Sequence, residues 1–520
     1  MSQRALQMPE IVGLICNEIE EQHPIGEVPF LSSVLASTAR VSSIFANECL
    51  GRLWSCQDGL CNLLRLLPTE CYTMKGSDVE TMTVERTLTR KDFDRVTLYA
   101  QRIKHMQCKK LPPINVCSSA ITSLEYSVSS ADHTGLPYIS MLLACSLETL
   151  HLTASGDSTS FLATSGARCA NLTEFSMFTP EPYASESLST AYNSFLGHLT
   201  RLDTIDVDSM ACASFQQLAA LPTLQSLVIR DNSLHRFKLP SGMCFPTLDN
   251  LELHYSSFKT MGKMLDAMET PQLTSIEVDS AAYAKAHIIR AIFIRFAEQL
   301  PLSQLHAITI DTDAETVPSG THEALTLHTL EPLLSFGCLV HANIRLNTGF
   351  DLSDTCIARI AAAWPQIKSL RLALPYDAKY TVWSSTTIAG LQTFACNCPL
   401  LESLGLSLDG SVEPPEVQLI DVMTQQVKLR TLDVGTSMLE FPQSTAEFLS
   451  AVFPALAKIE TYWDSSNHIQ DRFNSVSAWR LVESQLRFGI KVRKWERVLG
   501  QVHGSSLPTI VDVEGSEPIM

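Results

Sequence analysis

Charge is scarce in this sequence, and what there is leans one way. Only 18% of the 520 residues are charged, and 38 basic residues face 55 acidic ones. The resulting net charge of -17 makes a nucleic-acid backbone an unfavourable partner. With 45% of residues apolar, a disordered chain is excluded as well, because such chains lack the apolar surface that offsets ordering entropy. Clean hydrophobic runs are also missing. The most apolar helical segment, AHIIRAIFIRF, is interrupted by Arg290 and Arg295, which excludes a membrane span there. The first apolar run contains Glu10 and has no cleavage-site pattern, so no signal peptide is expected. The protein is therefore expected in the cytoplasm and/or the nucleus, where the sequon at Asn171 is a coincidence.

Chemistry-bearing motifs are equally sparse. The 15 cysteines include no CxxC pair, and CNC at 396–398 and SCQDGLC at 55–61 lack zinc-ligand spacing. Free, mostly buried thiols in a reducing compartment are the expectation. No GxSxG, GxxxxGK[ST] or GxGxxG is present. HEALTLH resembles a zinc helix, but His322 and His328 stand six residues apart and lie far apart around a helix. No catalytic residue, metal or cofactor is expected, and no enzyme.

What the sequence has in abundance is one frame, apolar-x-x-apolar-x-apolar. LETLHL, LDTIDV, LQSLVI, LDNLEL, LTSIEV, LHAITI, IKSLRL, LESLGL and LRTLDV carry it fully, and ITSLEY, LTEFSM, HANIRL and LAKIET carry it weakly. The second apolar position falls at 124, 150, 175, 205, 227, 251, 276, 308, 344, 370, 404, 432 and 459. Intervals run from 22 residues (205 to 227) to 36 (308 to 344). Each frame reads as a short half-buried strand, preceded by a helical stretch that often ends in proline. A unit of one helix, one turn and one strand cannot bury its own apolar face, so the units must stack.

This pattern resembles a leucine-rich-repeat array over roughly residues 116–465. The resemblance implies an irregular α/β solenoid, with parallel strands on a concave face and helices outside. The asparagine that usually follows the frame survives as Asn232, while most copies have Ser, Asp or Thr. Arg487, Lys491, Arg493, Lys494 and Arg497 read as the solvated face of a capping helix, with Trp479 and Trp495 closing the last repeat.

The first 67 residues differ in kind. Pro9 opens an amphipathic helix bearing Ile11, Val12, Leu14, Ile15 and Ile19, and Pro29 opens a second run that includes Leu35, Val41, Ile44 and Phe45. Met8-Pro9-Glu10-Ile11, RVSSIF and Leu53-Trp54 resemble the F-box motif, one residue shorter between proline and glutamate than the family pattern. An N-terminal F-box before leucine-rich repeats implies a substrate receptor of a cullin-RING ubiquitin ligase. A Skp-family adaptor would dock on Met8, Pro9, Ile11, Ile15, Val41, Phe45 and Trp54, and connect to a cullin. The alternative is a repeat scaffold whose helical N-terminus merely caps the array; a third reading, an unrecognised enzyme, requires a deep polar pocket. The implied organisation is an F-box-like module (1–67), a linker and cap (68–115), repeats (116–465), capping helices (466–500) and a disordered tail (501–520).

Between the paired apolar positions the frame turns side chains outward. Glu252 and Glu277 are expected on adjacent rungs, as are Arg345 and Arg371, which suits a bipolar protein segment with a basic and an acidic or phosphorylated end. The long intervals place Tyr376, Tyr380 and Trp383 on a loop as further expected contacts.

Overall fold

The computed structural model describes residues 7–22, 28–58, 61–75, 81–84, 86, 89–108, 121–127, 143, 145–153, 159–178, 186–208, 212–230, 239, 241–269, 272–280, 285–312, 324–374, 384–416, 425–461 and 469–504. They fall in two compact units, Met1–His254 with Asp266–Gln272, and Tyr255–Leu265 with Leu273–Met520.

Alternation at period two makes strands, and helices between them force those strands to be parallel. In the first unit β1 (Cys56–Gln57) begins a parallel ladder and an antiparallel hairpin, β2 (Tyr72–Lys75) with β3 (Thr81–Val84), stands apart from it. The ladder continues through β4 (His105–Cys108), β5 (Ser123–Ser127), β6 (Thr149–Thr153), β7 (Glu174–Phe178), β8 (Thr204–Val207), β9 (Ser226–Ile229) and β10 (Asn250–Leu253). The second unit stacks β11 (Ser275–Ser280), β12 (Ala307–Thr312), β13 (His341–Arg345), β14 (Ser369–Ala373), β15 (Ser403–Leu406), β16 (Thr431–Gly435) and β17 (Lys458–Thr461), also in parallel.

The apolar frame positions are the core. Leu124, Leu150, Phe175, Ile205, Leu227 and Leu251 align on consecutive rungs of the first unit and are all fully buried. The helices present matching stripes. Asp354–Ala363 buries Ile357, Ile360 and Ala361, and ends at Trp364 before Pro365, whose ring disfavours helical backbone in the residue ahead of it. Pro442–Val452 starts with proline at a position where no N–H is needed, and buries Thr445, Ala446, Phe448, Leu449 and Val452.

One copy of the frame is displaced from the expected register. Ala342, not Ile344, lies between Ile308 and Leu370, while Ile344 lies between Ile310 and Leu372. A period of two lets Ala342, Ile344 and Leu346 fit the same frame, and packing decides among them.

Asparagine is largely replaced as the link between turns. In successive repeats two consecutive N–H groups donate to one carbonyl of the preceding turn: Glu148 and Thr149 to Thr122, Thr173 and Glu174 to Glu148, Lys368 and Ser369 to Val340. Hydroxyls reinforce this, with Thr173 donating to the Glu148 carbonyl at 3.1 Å and Thr223 to that of Leu202 at 2.7 Å. One buried amide does more. Gln426 donates to the Leu401 carbonyl at 2.7 Å and accepts from the Leu429 N–H at 2.7 Å. Gln426→Ala would strand these buried groups without partners, and a loss of about 2 kcal/mol is expected in urea denaturation. Asn232 lies outside the described residues.

The C-terminal end is one helix, Ile469–Gly504. Trp479 is buried, and its indole N–H donates to the Ser437 carbonyl at 2.9 Å. Trp495 does not close the last repeat as expected, since it is 74% exposed. Arg493 does not belong to the solvated face either; its guanidinium reaches Ser450 Oγ at 2.8 Å. Residues 505–520 lie outside the described set.

Candidate functional site

Two kinds of surface offer themselves for recognition: the N-terminal helices, and in each unit the face of the parallel ladder that the helices leave open. The N-terminal module consists of α1 (Pro9–Gln22), α2 (Val28–Thr38) and α3 (Ser43–Ser55). Its core is small and its own: Val12, Cys16, Leu35, Phe45 and Cys49, with Ile15, Ile19, Ala39, Ile44 and Leu53 packed around them. Ser42 caps α3, its hydroxyl accepting from the Phe45 N–H at 3.4 Å. Arg52 binds Glu48 at 3.0 Å and donates to the Gly13 carbonyl at 3.2 Å, tying α3 to α1. The Cys16 and Cys49 sulfurs lie 3.5 Å apart, and burial, reinforced by Cys16, pushes the Cys49 thiol up.

The expected adaptor residues divide into three groups. Met8 and Val41 are 50% and 68% exposed, and Pro9 is exposed beside Met8. Ile11 and Ile15 are half-buried, Ile15 against the module core. Phe45 belongs to that core, and Trp54 faces the array, its ring 4.8 Å from that of Tyr99. Sequence reasoning placed Leu14 on the helix but not among the contacts; it is 67% exposed. Its position offers the signal that was available, because Val12, Cys16 and Ile19 form the buried stripe and Leu14 falls off it.

On the sheet face of the first unit, charges are paired within the chain. Arg230 grips Asp206 with two bonds of 3.0 Å and lies 5.3 Å from the centre of the Phe178 ring. The Asp206 hydrogen bond holds the Arg230 guanidinium above its ordinary value. Asn250 donates to Glu252 at 2.8 Å, and His254 approaches the same carboxylate at 3.4 Å.

In the second unit Arg371 crosses a glycine to reach a buried acid. Its guanidinium lies 2.6 Å from Asp433 and 3.3 Å from Glu460. Gly405 occupies the strand between Arg371 and Asp433, and a Cβ there would come within 2.9 Å of Arg371 Cγ. Burial pushes the Asp433 carboxyl up, opposed chiefly by the Arg371 charge. Arg345 pairs with Asp311 and stands opposite Ala373, whereas Arg371 stands opposite Asn343 and Gly405. The two arginines are thus on different rungs, and the side-by-side pair expected from the frame does not form. The shifted register of β13 is the reason. Glu252 and Glu277 fall in different units, Glu277 standing opposite Thr309. Tyr376, Tyr380 and Trp383 lie outside the described residues. Nor does the middle position always point to solvent: Val228, Ser176 and Asp433 are buried.

A cleft of about 140 Å3 at the loops following the strands is lined by Ser407, Asp409, Ser411, Thr436 and Glu440 among others. Ser411 donates to Asp409 and Ser437 to the Val434 carbonyl, so these hydroxyls are engaged locally. Among the described residues no group of three or more His, Cys, Asp and Glu side chains could hold a metal ion. His328 lies 3.7 Å from Glu331, and His322 is outside the described set. Among the described residues no helix is long and apolar enough to cross a membrane.

Fold and surface together define a repeat protein of the leucine-rich type with a three-helix module ahead of its repeats. No family model and no curated protein matches this chain. Solved structures do. The yeast Rad7 and Elc1 complex is 15% identical, with 66% of this chain and 81% of that one covered at a TM-score of 0.33. An internalin from Listeria monocytogenes is 11% identical, covering 71% and 82% at 0.34. A protein from Bacteroides fragilis is 11% identical, covering 57% and 68% at 0.27. At these values the likenesses carry no argument about function, and the fold rests on the strand register itself.

Proposed function

We propose that this chain is the non-catalytic substrate-recognition subunit of a cullin-RING ubiquitin ligase, acting in the cytoplasm and/or the nucleus. The observation that carries the reading is the exposure of Met8, Leu14 and Val41 on a module whose core is already closed by Val12, Cys16, Leu35, Phe45 and Cys49. Large apolar side chains left outside a filled core are the raw material of a docking surface. A Skp-family adaptor seated there would link the repeats to a cullin and its ubiquitin-loaded enzyme. The receptor then acts by proximity, raising the effective concentration of substrate lysines, and supplies no acid, base or nucleophile.

The reading separates cleanly from misfolding, because the two classes of side chain respond differently. Leu14→Asp puts a charge on the docking surface and nowhere else. Calorimetric titration with a Skp-family adaptor should show a loss of at least about 30-fold, roughly 2 kcal/mol, with the melting temperature unchanged. Equal affinity of wild type and variant would reject the assignment.

A specific set of contacts favours a second reading, in which the module only caps the repeats. Trp54 packs against Tyr99 with the rings tilted by 44°, Arg102 donates to Asn47 Oδ1 at 3.1 Å, and the Lys104 N–H donates to the Ser55 carbonyl at 2.9 Å. On that reading no adaptor binds either protein.

A further inference from the structure

The C-terminal helix Ile469–Gly504 uses one side to cover the last repeats and leaves another bare. Ser475, Trp479, Val482 and Leu486 are buried, and Arg493 is anchored to Ser450 and to the Pro454 carbonyl. On the other side Leu481, Phe488, Val492 and Trp495 are exposed, Phe488 to 68%. Leu481, Phe488 and Trp495 recur every seven residues, and Val492 falls between the last two. At 100° per residue all four lie within about 60°, a seam of coiled-coil width rather than a broad apolar face. Arg480, Arg487 and Lys491 are exposed along one flank of this seam. Arg487 binds Glu483 at 2.6 Å, which leaves the flank basic in sum on a chain whose net charge is -17.

We propose that this seam is a docking site for an acidic amphipathic helix of a partner protein, independent of the adaptor surface on the N-terminal module. The partner's apolar residues would pack between Leu481, Phe488, Val492 and Trp495, and its Asp and Glu side chains would meet Arg480, Arg487 and Lys491. Charge decides between occupants. A second copy of the chain would oppose cation to cation in an antiparallel pair, and in a parallel one would set the three cations against Gln485, Gly489 and a single acid, Glu496. An anionic bilayer would be repelled by the chain's overall charge and favours a wider apolar face than this one.

The experiment uses the full chain and two designed helical peptides of about four heptads with leucine seams, one flanked by glutamate and the other by lysine. Fluorescence anisotropy should show the glutamate peptide binding at least about tenfold tighter than the lysine peptide. Phe488→Ser should weaken it by about tenfold or more, and Arg480→Glu with Lys491→Glu should reverse the preference. All three positions are exposed, so the melting temperatures of the variants should match that of the wild type. Several results would overturn the proposal: no binding of the glutamate peptide, equal binding of both peptides, or full binding by Phe488→Ser. So would tighter binding to phosphatidylserine vesicles than to peptide, or self-association in sedimentation that Phe488→Ser abolishes.

Discussion

Arg371→Ala is expected to destabilise the second unit by about 3 kcal/mol, because it leaves the Asp433 carboxylate buried without its counter-charge. The figure sits at the low end for a broken buried pair, since the guanidinium side chain retains 20% exposure and water screens part of the interaction. Adding Asp433→Asn to the same chain should recover much of the loss, as the neutral amide removes the uncompensated charge. The deficit should also depend on pH with a defined sign. Burial already holds the Asp433 carboxyl above its ordinary value, so the folded chain binds this proton more readily than the unfolded chain. Stability from this group therefore falls as pH rises through the carboxylate range, and removing Arg371 deepens that fall. Urea titrations of variant and wild type should differ most near neutral pH and converge as the medium becomes acid. A deficit independent of pH would show that packing of the Arg371 stem, not its charge, is what matters.

Trp364→Ala should cost as much or more, about 4 kcal/mol. The indole is fully buried at the end of the helix Asp354–Ala363, and its N–H donates to the Leu333 carbonyl at 3.2 Å. Truncation opens a cavity that the close-packed surroundings can fill only in part, and it strands a buried acceptor. Trp364→Phe separates the two effects, since it keeps most of the volume and loses the donor; about 1–2 kcal/mol is expected there. Thermal unfolding of the two variants should rank in that order. Equal losses would mean that the hydrogen bond, and not the filled volume, dominates at this site.

The repeats were legible because their signal is periodic and redundant. Leu404 and Leu432 announce a strand each time the frame returns, and one misread copy does not disturb the rest. Where the signal was single it failed. At HANIRL three apolar residues two apart offer two registers, and the small Ala342 took the inner position between Ile308 and Leu370. HMQC at 105–108 forms a strand of the same ladder and completes the frame as Ile103, Met106 and Cys108, but Met and Cys stand where other copies have Leu, Ile or Val, and the copy was missed.

Side-chain commitments on the sheet face were the least legible. Sequence reasoning placed Asp433 outward by alternation, yet it is 2% exposed because Arg371 lies over it across Gly405. Only a glycine on the intervening strand permits that reach, and its meaning depends on knowing which residues flank it two strands away. The module divided in the same way. Helical periodicity found its apolar residues, but three helices share one small core, and which side chains fill it depends on their packing angles. Hence Phe45 went inside and Leu14 stayed out. Trp495 illustrates the converse error, since a tryptophan near the end of an array reads as a plug until its heptad relation to Leu481 and Phe488 is set against the buried face of the same helix.

The central claim is that the N-terminal module recruits a ubiquitin ligase. Affinity purification of the tagged full chain from its native cells, followed by mass spectrometry, tests it most directly. The account predicts that a Skp-family adaptor and a cullin are recovered with the wild type and lost with Leu14→Asp combined with Val41→Asp, while both proteins remain folded. Recovery of the folded wild-type chain with neither an adaptor nor a cullin would contradict it.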